Sequence, residues 1–193
     1  MTGVSQFRLA LPVGWIELDL NPATRSEAIV RIMAERGGAA AGAGVSSAEM
    51  ARLLEELASQ AEAKQGVYAA FYSDVLEGRP VAASLIVSMV QAGGGPPPPG
   101  ADSLAVAQAL RARFPPGHDV ELRQLAAGPA VRARRRLEAP LGGTIVALDN
   151  VQYLVPRPDL TQLAILDFST PTVGLADAFA EVFDAIAGTL GWT

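Results

Sequence analysis

Three groups of residues in this chain have the types and spacing that chemistry could use. His118 is the only histidine, and Asp119 and Glu121 follow it on a stretch that reads as a strand, so a general base could be drawn from that cluster. Glu17 and Asp19 fall two apart on an earlier strand and would present paired carboxylates on one face. The third group is Val131-Arg-Ala-Arg-Arg-Arg-Leu137. On a strand, Arg132, Arg134 and Arg136 project from one face while Val131, Ala133 and Leu137 point to the other. Guanidinium groups so arranged suit a carboxylate-rich or phosphorylated protein partner through bidentate contacts. Each group also has a purely structural reading. His118 follows a Pro-Pro-Gly turn and is expected at the surface, Glu17 and Asp19 can be a solvated face, and the arginines can be balanced by the surplus of acids.

Other chemistries lack their residues. The chain has no cysteine, which removes thiolate catalysis, disulfides and cysteine zinc sites, and one histidine cannot form a histidine pair for a metal. No Gly-Lys-Ser/Thr sequence is present, and Gly42-Ala-Gly-Val-Ser-Ser47 joins two helices, whereas a dinucleotide fingerprint follows a strand. There is no Gly-x-Ser-x-Gly elbow. No catalytic, cofactor-binding or metal-binding residue is therefore assigned, and Arg132, Arg134 and Arg136 are the partner-binding candidates. A net charge of -5 gives no reason to expect nucleic acid. Met1 to Arg8 lacks the basic-then-apolar layout of a signal peptide, and the apolar run Pro80 to Val90 is too short to span a bilayer, so a cytoplasmic protein without membrane insertion is expected. Half of the 193 residues are hydrophobic but only 18% are charged, which leaves apolar surface for a partner or a second copy, a homodimer included.

The elements that must position these groups are alternating strands and amphipathic helices. Phe7 to Leu11 and Trp15 to Leu20 read as strands around Pro12-Val13-Gly14. Thr24-Arg-Ser-Glu27 and Ser46-Ser-Ala-Glu49 are capping boxes, the first opening a helix that Gly37-Gly38 should stop. Behind the second, Met50, Leu53, Leu54, Leu57 and Ala61 recur at helical spacing. Val67 to Leu76 and Pro80 to Val90 form a hairpin around Glu77-Gly-Arg, and the second strand, apolar on both faces, belongs in the middle of a sheet. After the Gly/Pro run from Gln91 to Gly100, Asp102 or Ser103 caps a short helix with Leu104, Ala107 and Leu110 inward. Strands then span Asp119 to Leu125, Pro129 to Leu137, Thr144 to Val155 and Leu160 to Phe168. The last helix carries Leu175, Phe179, Val182, Phe183, Ile186 and Leu190 in one stripe, with Asp177, Glu181 and Asp184 away from it. The reading is a single α+β domain over 1–193, with flexible loops near 37–45 and 91–101.

Leu163-Ala-Ile-Leu-Asp-Phe-Ser-Thr-Pro171, followed by Phe179-Ala-Glu-Val-Phe-Asp-Ala-Ile-Ala-Gly-Thr-Leu-Gly-Trp192, resembles the last strand, Ser/Thr-Pro turn and final helix of the Mog1/PsbP-like superfamily. Leu11-Pro-Val-Gly-Trp-Ile-Glu-Leu18 is similar to the Pro-x-Gly-Trp strand that opens that fold. The middle of the chain departs from the pattern. The resemblance implies a bacterial α/β/α sandwich, an antiparallel sheet between helices with the C-terminal helix packed on it. It also implies a typically non-enzymatic role, since the group includes a small-GTPase-binding factor, photosystem assembly subunits, lipid-linked envelope proteins and chaperones of secreted effectors. The expected function is a protein-binding adaptor, chaperone or accessory factor. The alternatives are a binder of small molecules or lipids, with a pocket between sheet and helices near Met33, Met50 and Phe183, and a carboxylate-based enzyme.

Overall fold

A sheet buried on both faces must be covered on both, and this chain does so with helices of two origins. The computed structural model describes residues 7–42, 47–91, 100–116, 118–141 and 143–193. Along them run β1 (Phe7–Arg8), β2 (Trp15–Glu17), α1 (Arg25–Gly42), α2 (Ser47–Ala63), β3 (Gly66–Leu76), β4 (Arg79–Gln91), α3 (Ser103–Arg111), β5 (Asp119–Leu125), β6 (Gly128–Leu141), β7 (Thr144–Pro156), β8 (Gln162–Thr170), α4 (Ala176–Gly188) and β9 (Gly191–Trp192). Seven strands form one antiparallel sheet in the order β2-β3-β4-β8-β7-β6-β5. β4 pairs with β8 from Ser84↔Ser169 to Gln91↔Gln162, so strands from both sides of the Gly/Pro run share this sheet.

Strand alternation sorts the side chains. Val81, Ala83, Leu85 and Val87 of β4, Val151, Tyr153 and Val155 of β7, and Ala164, Leu166 and Phe168 of β8 bury against Phe179, Phe183 and Ile186 of α4 and Leu190 just past its end. Phe183 stacks on Phe168 at 4.8 Å between ring centroids and meets Trp15 edge-on at 6.3 Å. On the opposite face, Ile29 of α1 and Leu54, Leu57, Ala58 and Ala61 of α2 pack on Ala69, Phe71 and Ile86. α3 packs over β5, β6 and β7 on that same face, its Ala107 fully buried like Val131 beneath. The α+β sandwich with its C-terminal helix on the sheet is thus the observed architecture.

Several local expectations change. β1 does not form a hairpin with β2; it pairs with β9, Phe7↔Trp192, and brings the two ends of the described chain together. Pro12 supplies no donor, and Trp15 instead donates back to the Pro12 carbonyl (3.3 Å) around Gly14, whose φ of 99° suits glycine. Gly37-Gly38 does not stop α1, which runs on through the alanines to Gly42 because alanine's high propensity offsets the roughly 1 kcal/mol each glycine costs. Of the loop expected near 37–45, residues 37–42 are therefore helix, and 43–45 lie outside the described residues. Of that near 91–101, Gln91 still belongs to β4, 92–99 lie outside the described residues, and Asp102 caps α3 by accepting from Ala105 N at 2.7 Å. The Thr24 hydroxyl does not cap α1 but donates to Asp19 Oδ2 at 2.6 Å. Leu104 is exposed, not inward.

Candidate functional site

The arginine triplet on β6 meets a different fate at each position. Its face is the one α4 covers, because Arg132 lies opposite Tyr153 and Arg134 opposite Val151 in the β6–β7 register. The Arg132 side chain is only 7% exposed, and its Nε donates to Asp184 Oδ1 of α4 at 2.8 Å while Nη1 reaches Glu121 at 3.4 Å. The buried Tyr153 hydroxyl donates to the same Asp184 oxygen. Burial pulls the Arg132 guanidinium down, but the Asp184 carboxylate outweighs it and holds the group above its ordinary value. Burial first, then Asp184, pushes the Tyr153 phenol well up. Arg134 is shared between Asp149 of β7 (2.9 Å) and Asp177 of α4 (2.8 Å), and the Asp149 bond raises it. Arg136 alone stands exposed with no ion pair among the described residues. The positive stripe expected from the sequence is therefore not a free surface. Two of its three members hold α4 to the sheet, and Asp177 and Asp184, expected to face away, are the acids that receive them.

The other candidate groups stay apart. His118 is exposed, with Nδ1 3.1 Å from the Pro115 carbonyl. Glu17 accepts from the Tyr68 hydroxyl at 3.0 Å, and Asp19 accepts from Thr24 and from Asn21 N, which lowers its pKa. Glu121 is engaged by Arg123 at 2.8 Å as well as by Arg132. Among the described residues no three His, Cys, Asp or Glu side chains gather as a metal site would need. Met33, Met50 and Phe183 do not converge either, because Phe183 lies under α4 on the other side of the sheet.

Met50 does mark a cavity. The face under α1, α2 and α3 is incompletely filled, because its helices sit over opposite ends of the sheet. Beside α2 opens a cleft of about 130 Å³. Met50, Leu53, Leu54, Leu57 and Gln60 of α2 form one wall; Phe71, Ser73, Ser84, Leu148, Ser169 and Pro171 form the floor and far side. The walls are apolar but for Gln60, and the polar side chains of the sheet floor are small. The hydroxyls of Ser73 and Ser84 take part in no hydrogen bond among the described residues. Ser169 accepts from Asn150 Nδ2 at 3.1 Å and connects the cleft to a polar strip along β7 and β8. In that strip buried Asn150 donates to Asp167 (2.5 Å) and to the Phe168 carbonyl (2.8 Å), and accepts from Arg135 Nε (3.3 Å). Lys64, just past the end of α2, pairs with Asp167 at 2.7 Å. The sequence signal for this site was the half-exposed Met50 and Leu53 at the edge of the α2 stripe; the three serines come from separate strands, and only the sheet register unites them.

No described helix is long and apolar enough to cross a membrane. No family model matches the chain, and no curated protein matches it. The resemblance to the Mog1/PsbP-like group thus rests on its sequence motifs alone. Among solved structures the chain is similar to LpqN of Mycobacterium tuberculosis, described as involved in cell envelope biogenesis, at 11% identity and a TM-score of 0.43, over 97% of this chain and 83% of that one.

Proposed function

We propose that this is a non-enzymatic binding protein that seats the apolar end of a small amphiphile in the cleft between α2 and the sheet. The observation that carries the reading is an apolar cavity with hydroxyls of Ser73 and Ser84 left over for a ligand. Its volume of about 130 Å³ is close to the roughly 150 Å³ that holds a benzene ring in an engineered protein cavity, so the seated group is a single ring or a short branched chain. Burying such a group follows the usual design of ligand sites, apolar walls with few polar groups to orient the guest. The adaptor reading takes second place, because the arginines that motivated it are engaged within the chain, with Arg136 the exception.

The test is titration with short-chain fatty alcohols and small aromatic alcohols, followed by native mass spectrometry and calorimetry, on the wild-type protein and on Ser84→Leu. The leucine fills the cleft without touching the α4 face. Wild-type binding that drops at least tenfold in Ser84→Leu, at unchanged or higher thermal stability, supports the proposal. Absence of binding to either probe class, or equal binding by both proteins, overturns it.

A further inference from the structure

The sheet has two edges, and they differ. At one, β2 is three residues long and is preceded by Pro12, a short strand that offers little to another chain. At the other, β5 runs seven residues from Asp119 to Leu125, contains no proline or glycine, and has no strand on its outer side among the described residues. Its outward backbone groups are a template for one more strand.

The sequence of β5 says which strand fits. A two-fold axis normal to the sheet would lay a second β5 antiparallel to the first and keep each face of the sheet continuous. Residues then meet others of the same face, so the registers open to the pair step by two along the strand. The register centred on Leu122 is the one that pairs the whole strand. It sets Leu122 against itself, Val120 against Gln124, and Glu121 against Arg123 on both sides of the axis. Registers centred on Glu121 or on Arg123 instead put two like charges face to face, which is unfavourable for directly opposed residues. Within one chain Glu121 and Arg123 already pair at 2.8 Å, and Arg123 keeps half its side chain exposed at 49%. Across the axis the same two groups meet again and close a ring of alternating charge. Leu122 and Val120 of β5 are both only partly covered by α3, so they have apolar surface to give to such a contact.

We propose that the protein forms a homodimer through β5, a second copy extending the sheet across a two-fold axis at Leu122. A strand pair alone buries less than the roughly 1,200–2,000 Å² of a standard stable interface, so the association is reversible and concentration-dependent.

Charge exchange tests this directly. By sedimentation velocity over a wide range of concentration, Arg123→Glu and Glu121→Arg should each raise the dimer dissociation constant by roughly tenfold or more, since each faces like charge twice across the axis. Mixing the two variants should restore a one-to-one heterodimer, because every opposed pair is again of opposite sign. Glu121 also holds Arg132, so a cross-link keeps the question answerable should Glu121→Arg fold poorly. The chain has no cysteine, and Cα atoms opposed across antiparallel strands lie about 4.5–5.5 Å apart, within disulfide reach. Leu122→Cys should therefore form a disulfide-linked dimer on mild oxidation, while Val120→Cys and Gln124→Cys should link with each other when mixed and not with themselves. A monomer at every concentration overturns the proposal. So does a dimer that ignores Arg123→Glu and leaves Leu122→Cys unlinked.

Discussion

Replacing Arg132 and Arg136 one at a time separates structural from available arginine. Both lie on the same face of β6, two turns of the alternation apart, and both fit the partner-binding stripe expected from sequence. Arg132→Ala withdraws a 7%-exposed side chain from Asp184 and Glu121 and leaves Tyr153 to share Asp184 with whatever water enters under α4. Breaking a fully buried ion pair costs about 3–5 kcal/mol. Asp184 is 35% exposed and recovers part of its hydration, so the expected loss is about 2–3 kcal/mol. Arg136→Ala should change stability by less than about 0.5 kcal/mol, as exposed positions do. Urea denaturation followed by circular dichroism reads both, and at a slope of about 2 kcal/mol per molar the Arg132 variant should unfold near 1 M less urea. The triple change of Arg132, Arg134 and Arg136 to Ser, harmless to the fold if the stripe were a free surface, should then unfold the protein. Converting the whole cluster to apolar residues, Arg132→Met with Asp184→Leu and Tyr153→Phe, should recover most of the loss, because a buried pair exchanged for packed hydrocarbon is near neutral. An Arg132→Ala variant as stable as Arg136→Ala would refute the reasoning and return the stripe to the surface.

Alkaline pH should destabilise the protein from about pH 10 upward. The Tyr153 phenol, ordinarily at 10.0, is pushed above that value in the fold by burial and by Asp184, so the unfolded chain ionises first and gains stability as pH rises. Tyr153→Phe should flatten that limb of a pH–stability profile; Tyr68, raised by burial and Glu17, accounts for a further part. Asp102→Ala should lower stability by about 1 kcal/mol in a thermal melt, through loss of the α3 cap. Glu77→Asn should raise it by about 0.5–1 kcal/mol in the same assay. Glu77 and Gly78 turn the β3–β4 hairpin with φ of 51° and 74°, and asparagine tolerates that left-handed region better than glutamate.

The strands were readable because period-two alternation and turn residues are local. β5, for example, has the bounds expected, and β4, apolar on both faces, does sit between two neighbours. Helix ends were less readable. The Gly37-Gly38 pair reads as a stop, yet the following alanines carry α1 to Gly42, and the Thr24 hydroxyl prefers Asp19 to its own helix. The burial of the arginine face has a cause that no window along the strand reveals. Whether Arg132 is wet depends on which side α4 packs, and that follows from pairings 52 residues apart, such as Arg132 with Asp184. The cleft was half legible. Met50 marks it from the sequence, but Phe183, expected beside it, lies on the opposite face, which only the sheet order shows.

The two faces of the sheet were closed by different means, and the difference bears on function. Under α4 the centre is packed with rings, and Arg132 and Arg134 are matched to carboxylates. The space left on that side, about 300 Å³, opens at the flank of α4 beside Trp15, Tyr72, Leu76 and Phe179 and presents no serine. Under α2 the sheet presents Ser73, Ser84 and Ser169 where a core would carry Val or Leu. Small polar side chains beneath an apolar helix forgo burial that larger ones would supply, about 25 cal/mol per Å² of apolar surface. Ser84→Leu should recover some of it, roughly 0.5–2 kcal/mol as other cavity-filling changes do, while closing the space a ligand needs. A gain in stability together with a loss of binding is the trade expected of a site kept open for use. A gain in stability with binding untouched would instead make the cleft a packing defect, and would move the search for the ligand away from α2.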